Sequence, residues 1–308
     1  MNGTITAVPG IVAGHASLNT DPTGCTVLLG PFRAAVDIRG LATGTREIDA
    51  LSPRHLVPQI DAVLLTGGSA LGLAAADGVV RWLRERGRGF DVGVTRIPIV
   101  PAAVIFDIQS PDQRFPDADL GYAACAAASR EPVPEGRVGA GTGATVGKMR
   151  GVAHASPGGV GTAAVLHGRY TVGAIAVVNA FGDVLDYDGA ILAGARNDDG
   201  TPFDSMRAAL SEPAAPNTPV TNTTICAIAT DAPLSRTALQ MVARMGSSAI
   251  VRRVAPANSV FDGDLVFALS TASSVVEMQP AEQLAIGTAA QLALEEAIVR
   301  AVRAGARA

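Results

Sequence analysis

A layered α/β fold in one piece is what this sequence predicts, and three observations carry that reading. Short apolar runs alternate with Ala-rich helical stretches from one end of the 308 residues to the other, with no boundary between dissimilar halves. Apolar residues make up 48% of the chain against 17% charged, which suffices for a sizeable core. Aromatic residues are only 4%, so that core must be built from Ala, Val, Ile and Leu, which pack in thin layers where sheets and helices approach closely. The length allows one large domain or two ordinary ones, and the even alternation favours a single domain over residues 1–308.

The elements follow in order. Residues 59–65 (QIDAVLL) predict a buried strand, followed by Thr66-Gly67-Gly68 and then Ser69 as N-cap of a helix running to about Arg86. Residues 81–88 (RWLRERGR) read as the solvated C-terminal turn of that helix, where cations favour the dipole. Residues 103–108 and 171–179 are further strands. Later, residues 223–230 (TTICAIAT) and 264–270 (DLVFALS) predict strands, and between them Ser235 caps a helix ending near Gly246. Pro280 opens a long Ala/Leu-rich C-terminal helix. One stretch breaks the pattern: after Asn197-Asp198-Asp199-Gly200, residues 211–221 (SEPAAPNTPVT) form a Pro-rich segment that cannot join a central sheet. It reads as an exposed linker that runs through Asn222-Thr223-Thr224 straight into a buried strand.

Several function classes drop out. A net charge of -4, with the arginines of residues 81–88 as the one local exception and those read as a solvated helix end, gives no field for nucleic acid. No run of about 18 apolar residues exists to span a membrane, and Met1 opens directly into turn and strand-like sequence, so a soluble cytosolic protein is expected. Cys25, Cys125 and Cys226 are odd in number and far apart, which indicates neither a disulfide framework nor a metal knuckle. His15, His55, His154 and His167 show no E-x-x-H or H-x-H pairing, so neither a metal nor a cofactor is expected. The loop from Gly139 to Lys148 (GAGTGATVGK) invites comparison with a phosphate-cradling loop, but the register fails: the first glycine of G-x-x-x-x-G-K would fall at Thr142, and Met149 stands where a magnesium-binding hydroxyl is needed. Ser69 is no nucleophile elbow either, since G-x-S-x-G would need glycine at Leu71.

With no motif for a His-based serine triad, another way to activate a hydroxyl becomes relevant. An N-terminal Thr can use its own α-amine as general base, an amine that titrates near about 7.7–8.0 when unperturbed. Such a nucleophile must begin mid-chain in a precursor, at a flexible junction, and Asn222–Thr223 after a Pro-rich segment meets that demand.

Five blocks in register, TGGSALGLAAADGV at 66–79, GAGTGATVGK at 139–148, AIAVVNAFG at 174–182, NTTICAIATDAPL at 222–234 and FDGDLVFALST at 261–271, resemble the DmpA-type aminopeptidase family. Within it the sequence is most similar to the branch containing the nylon-oligomer (6-aminohexanoate oligomer) hydrolases. The resemblance implies an N-terminal-nucleophile-like αββα sandwich, self-cleaved into an α chain of residues 1–222 and a β chain of residues 223–308, assembled as a homotetramer or larger. It implies Thr223 as nucleophile and Lys148 as a cation that lowers the pKa of the Thr223 amine and stabilises its alkoxide. It gives Asn179 the role of amide donor to the oxyanion. Asp262 and Asp264 match an acidic or hydroxylic pair that, on alternate positions of a strand, orients the Thr223 amine and hydroxyl.

Two departures bear on substrate. The family's assisting tyrosine falls at Phe106, and the glutamate that holds a free amine in the aminopeptidase branch falls at Val104. Both positions belong to the expected substrate site, and an apolar residue at 104 favours internal cleavage of a linear amide over strict aminopeptidase action. Action on D-amino-acid or β-amino-acid peptides, and acyl transfer of the ornithine acetyltransferase type, are the alternatives. In every case the expected partner is a small amide or peptide.

Overall fold

The computed structural model describes residues 2–211 and 222–307, so all but the first residue of the Pro-rich segment lies outside the described residues. Nine strands form the main sheet: β1 (Val12–Ser17), β2 (Gly24–Ile38), β3 (Thr45–Arg46), β4 (Ile60–Thr66), β5 (Ala102–Val104), β6 (Gly159–His167), β7 (Tyr170–Asn179), β8 (Thr223–Thr230) and β9 (Leu265–Ser270). Their order is β6-β7-β8-β9-β2-β4-β5-β3, with β1 added on β2. The helices that bear on it are α1 (Ala75–Glu85), α2 (Ala118–Ala126), the short α3 (Ser205–Ser211), α4 (Arg236–Arg253) and α5 (Pro280–Gly305).

The sheet folds into two layers because β2, at 15 residues, belongs to both. Its first half pairs with β1 and β4, its second half pairs with β9, and the register shifts between Leu29 and Phe32. Side-chain alternation then separates three cores. On β8, Ile225, Ala227 and Ala229 enter the central core with Val63, Leu65 and Phe32 from the other layer. Cys226 and Ile228 point the opposite way, into the core shared with α4 and α5. On β4, Ala62 and Leu64 face the third core, with Val79 and Leu83 of α1 and Cys125 of α2. Helices, sheet, sheet and helices stack in that order, the αββα arrangement expected from the resemblance.

The scarcity of large residues has a visible cause where α5 crosses β6. A Cβ at Gly161 would stand 2.0 Å from the Ala297 carbonyl oxygen and 2.3 Å from the Ala301 nitrogen. Gly161→Ala must therefore push helix and strand apart, and overpacking of this kind costs about 1–3 kcal/mol. A lowered urea midpoint is the expected result; an unchanged midpoint would contradict the packing argument.

Several boundaries differ from the sequence reading. Ser69 does not cap α1: it sits at φ 52° after Gly68 at φ 78°, and a 3-10 turn over Ser69–Ala74 precedes the helix. An N-cap requires extended backbone, which this left-handed pair excludes. Ser235 does cap α4, its side chain accepting from the Ala238 N–H, but the helix continues past Gly246 to Arg253. Gly246 is there for packing, since a Cβ would meet Ile228 Cδ1 at 2.2 Å. The strand predicted over 103–108 is only Ala102–Val104, and the one predicted from Asp264 starts at Leu265. Within residues 81–88, Arg88 is not a solvated helix-end cation; its guanidinium donates inward to the Gly30 and Asp61 carbonyl oxygens. Among the described residues no helix is long and apolar enough to cross a membrane, and the three cysteines are free and buried.

Candidate active site

Thr223 is the first residue of β8, a strand held on both sides. It faces Asn179 across the antiparallel β7, while β8 runs parallel to β9. Sharing the parity of Ile225 and Ala227, Thr223 points between the two sheets at their edge. The residue is 5% exposed, and its hydroxyl donates to the Asn222 carbonyl oxygen at 2.5 Å.

The Gly-rich loop delivers Lys148 to the same place. Gly147 is left-handed (φ 74°), and its N–H and that of Lys148 donate to the Gly182 and Phe181 carbonyl oxygens, pinning the loop to the turn that follows β7. A Cβ at Gly147 would lie 1.8 Å from the Ala195 nitrogen, so glycine is required there. Lys148 Nζ then donates to the Asn179 carbonyl oxygen at 2.9 Å and to its Oδ1 at 2.8 Å. Burial draws the Lys148 ammonium down to about 7, against the opposing pull of the Asp262 and Asp107 charges.

Asn179 is the hub of the site. Its Oδ1 also accepts from the Thr145 N–H, and its Nδ2 donates to the Phe106 carbonyl oxygen at 3.0 Å. The amide expected to serve the oxyanion thus holds the segment that carries Phe106.

Asp262 and Asp264 lie just before β9, where Asp262 bridges Asn222 in parallel, in register with the β8–β9 ladder. Asp262 accepts from the Ser259 N–H and hydroxyl and from the Phe181 N–H. Asp264 accepts from the Thr224 N–H at 2.6 Å and from the Asn258 N–H at 3.0 Å. Both carboxyls are raised by burial, and the charge of Asp262 adds to the rise at Asp264. Asp264 thereby holds Thr224, the residue after Thr223, while Asp262 ties its own turn to Phe181.

A pocket of about 250 Å³ adjoins this group, lined by Phe106, Asp107, Gln109, Thr145, Lys148 and Val152 among others. Phe106 borders it. Val104 does not; it is 5% exposed, at the end of β5, with Gly44 beside it. The three tyrosine hydroxyls bond elsewhere, Tyr122 and Tyr187 to Glu85 and Glu296, and Tyr170 to Arg169. No phenol replaces the one missing at 106.

Asp107 escaped the sequence reading. Its Oδ1 accepts from the Gly68 N–H at 2.7 Å, and burial raises it to about 6. An acid inside an apolar run, VIFDI, was the available signal. Among the described residues no cluster of His, Cys, Asp or Glu is arranged to hold a metal ion.

Comparison with known proteins gives the family. The family description Peptidase family S58 matches residues 3–308. An uncharacterized aminopeptidase of Mycobacterium bovis is 43% identical over 328 aligned positions, covering 98% of this chain and 92% of the relative. A 6-aminohexanoate-oligomer endohydrolase of Kocuria sp. is 34% identical, covering 85% of this chain and 73% of that protein. In three dimensions the chain is similar to a Burkholderia sp. beta-aminopeptidase (TM-score 0.75, 23% identity, 98% and 86% of the two chains). It is also similar to the L-aminopeptidase D-Ala-esterase/amidase of Ochrobactrum anthropi, a variant of the Ntn hydrolase fold (TM-score 0.72, 22% identity, 97% and 85%).

Proposed function

This chain belongs to peptidase family S58 and is a hydrolase of peptide or amide bonds, and on that premise we propose that it cuts itself between Asn222 and Thr223 and then uses Thr223 to open linear amides through an acyl-enzyme. The observation that carries the reading is the Thr223 hydroxyl set against the carbonyl of the residue before it, at the head of a central strand, with Lys148 and Asn179 across the sheet.

Before scission the Thr223 nitrogen is an amide and cannot act as a base. Lys148 fills that role, since two of its protons are committed to Asn179 and burial leaves the neutral amine well populated near neutrality. After scission the new α-amine takes over as base, and departure of the Asn222 end uncovers Thr223 to the pocket beside Phe106. Thr223 Oγ then attacks the substrate carbonyl, the amine product leaves, and water releases the acid.

The apolar Phe106 on the pocket wall favours internal cleavage of a chain such as a 6-aminohexanoate oligomer. Asp107, a buried acid on the pocket wall, favours a second reading in which the site holds a terminal ammonium and works as an aminopeptidase. Cleavage of 6-aminohexanoate oligomers or short peptides with free and N-acetylated termini separates the two. Equal rates, within about threefold, are expected for internal cleavage, a difference well below the factor of 10 that 1.4 kcal/mol of lost ammonium anchoring would produce. Loss of activity on the acetylated compounds would assign aminopeptidase action instead.

A further inference from the structure

Between the two acids stands Gly263, and its backbone N–H donates to the Asn222 carbonyl oxygen at 2.7 Å. The Asn222 N–H donates in turn to the Phe261 carbonyl oxygen at 3.2 Å, so the residue before the junction is clamped through both backbone groups by 261–263. The oxygen that receives the Gly263 N–H is the same one that lies 2.5 Å from the Thr223 hydroxyl.

We propose that the Gly263 N–H is the oxyanion donor of self-scission, and that the carbonyl of a bound substrate takes the same place during turnover. The inference rests on Thr223 being the nucleophile. In the step, the Thr223 hydroxyl yields its proton to a base and Oγ bonds to the Asn222 carbonyl carbon. The carbonyl π pair moves onto oxygen, which accepts from Gly263. Collapse breaks the C–N bond, the Thr223 nitrogen takes up a proton, and an ester of Asn222 on Thr223 Oγ results. Water hydrolyses that ester to the Asn222 carboxylate and a Thr223 with free amine and hydroxyl.

Two features make the donor fixed in advance, as oxyanion stabilisation requires. The carboxyls of Asp262 and Asp264 are tied down by Ser259, Phe181, Thr224 and Asn258. Their backbone carbonyl oxygens accept from the Ala42, Arg39 and Gly40 N–H groups. The acids are thus positioning residues for the amide between them. Position 263 must also lack a side chain, since a Cβ would stand 2.8 Å from Thr223 Oγ and 2.8 Å from the Ala42 carbonyl oxygen.

Replacing Gly263 by glycolic acid turns its N–H into an ester oxygen while leaving the chain otherwise unchanged. Scission slowed by about 10²–10³-fold, with the thermal transition retained, is the expected outcome. An ester variant that cuts at the wild-type rate, while Thr223→Ala stays whole, overturns the role of Gly263 and leaves the nucleophile in place. Cleavage of Thr223→Ala at 222–223 overturns the underlying reading instead. Should the ester variant fail to fold, the uncut Thr223→Ala chain still decides: a scalar coupling through the hydrogen bond from the Gly263 nitrogen to the Asn222 carbonyl carbon is expected in its NMR spectrum, and its absence refutes the proposal.

Discussion

Thr223→Ala leaves a single chain of 31.2 kDa and lowers amide turnover by about 10⁶-fold, the scale on which loss of a covalent nucleophile is felt. Both effects come from one atom. In the proposed mechanism Oγ attacks the Asn222 carbonyl and, after scission, the substrate. Thr223→Ser keeps that atom and is expected to cut itself and to turn over, because the hydroxyl remains against the same carbonyl. The Ala variant is expected to fold: it removes a small side chain at the end of a strand whose ladder with β7 and β9 stays intact. A Thr223→Ala protein with even a hundredth of wild-type turnover would show that some other group does the chemistry.

Lys148→Met is the second large effect. Met replaces the buried amine with an apolar chain of similar length, so packing is kept while the proposed base and its two bonds to Asn179 are lost. Self-scission is expected to slow by about 10²–10⁴-fold, the usual worth of a positioned general base. The pH dependence gives the sign. Burial lowers the Lys148 pKa to about 7, so the neutral amine that can accept a proton is scarce below that pH and dominant above it. The scission rate of freshly folded precursor should therefore rise with pH through about 7 and then level off, and Lys148→Met should lose that rise. Stopped-time electrophoresis of refolded chain measures both. A rate that falls as pH passes 7 would mean that the ammonium, not the amine, is the active form.

Much of this site could be read from the sequence because its residues fall in blocks whose chemistry is local. Asn179 and Thr223 end or begin long apolar strands, and Lys148 closes a Gly-rich loop, so their placement on elements was legible. All five residues singled out for catalysis meet at one sheet edge. What was not legible depends on contacts between distant segments. Gly246 looks like a helix end until Ile228 is seen pressing on it, and Ser69 looks like a cap until Asp107 is seen holding the Gly68 N–H. The alternate spacing of Asp262 and Asp264 drew attention to their side chains, yet it is the amide between them that meets the junction, in the parallel register of β8 and β9. Gly263 carries no side-chain signal, and a backbone donor is invisible until its acceptor, 41 residues earlier in the chain, is placed beside it. Val104 illustrates the limit of position in a motif: it is buried at the end of β5, away from the wall of this pocket.

The account turns on one bond. Top-down mass spectrometry of purified wild-type protein, with fragmentation from the new terminus, reads it directly. Two chains are expected, one ending at Asn222 and one whose sequence begins Thr223-Thr224-Ile225, with the short chain alone gaining the acyl mass when substrate is added and the reaction is quenched in acid. A catalytically active protein that remains one chain through residue 308, or a cut that starts the short chain at any other residue, would contradict it.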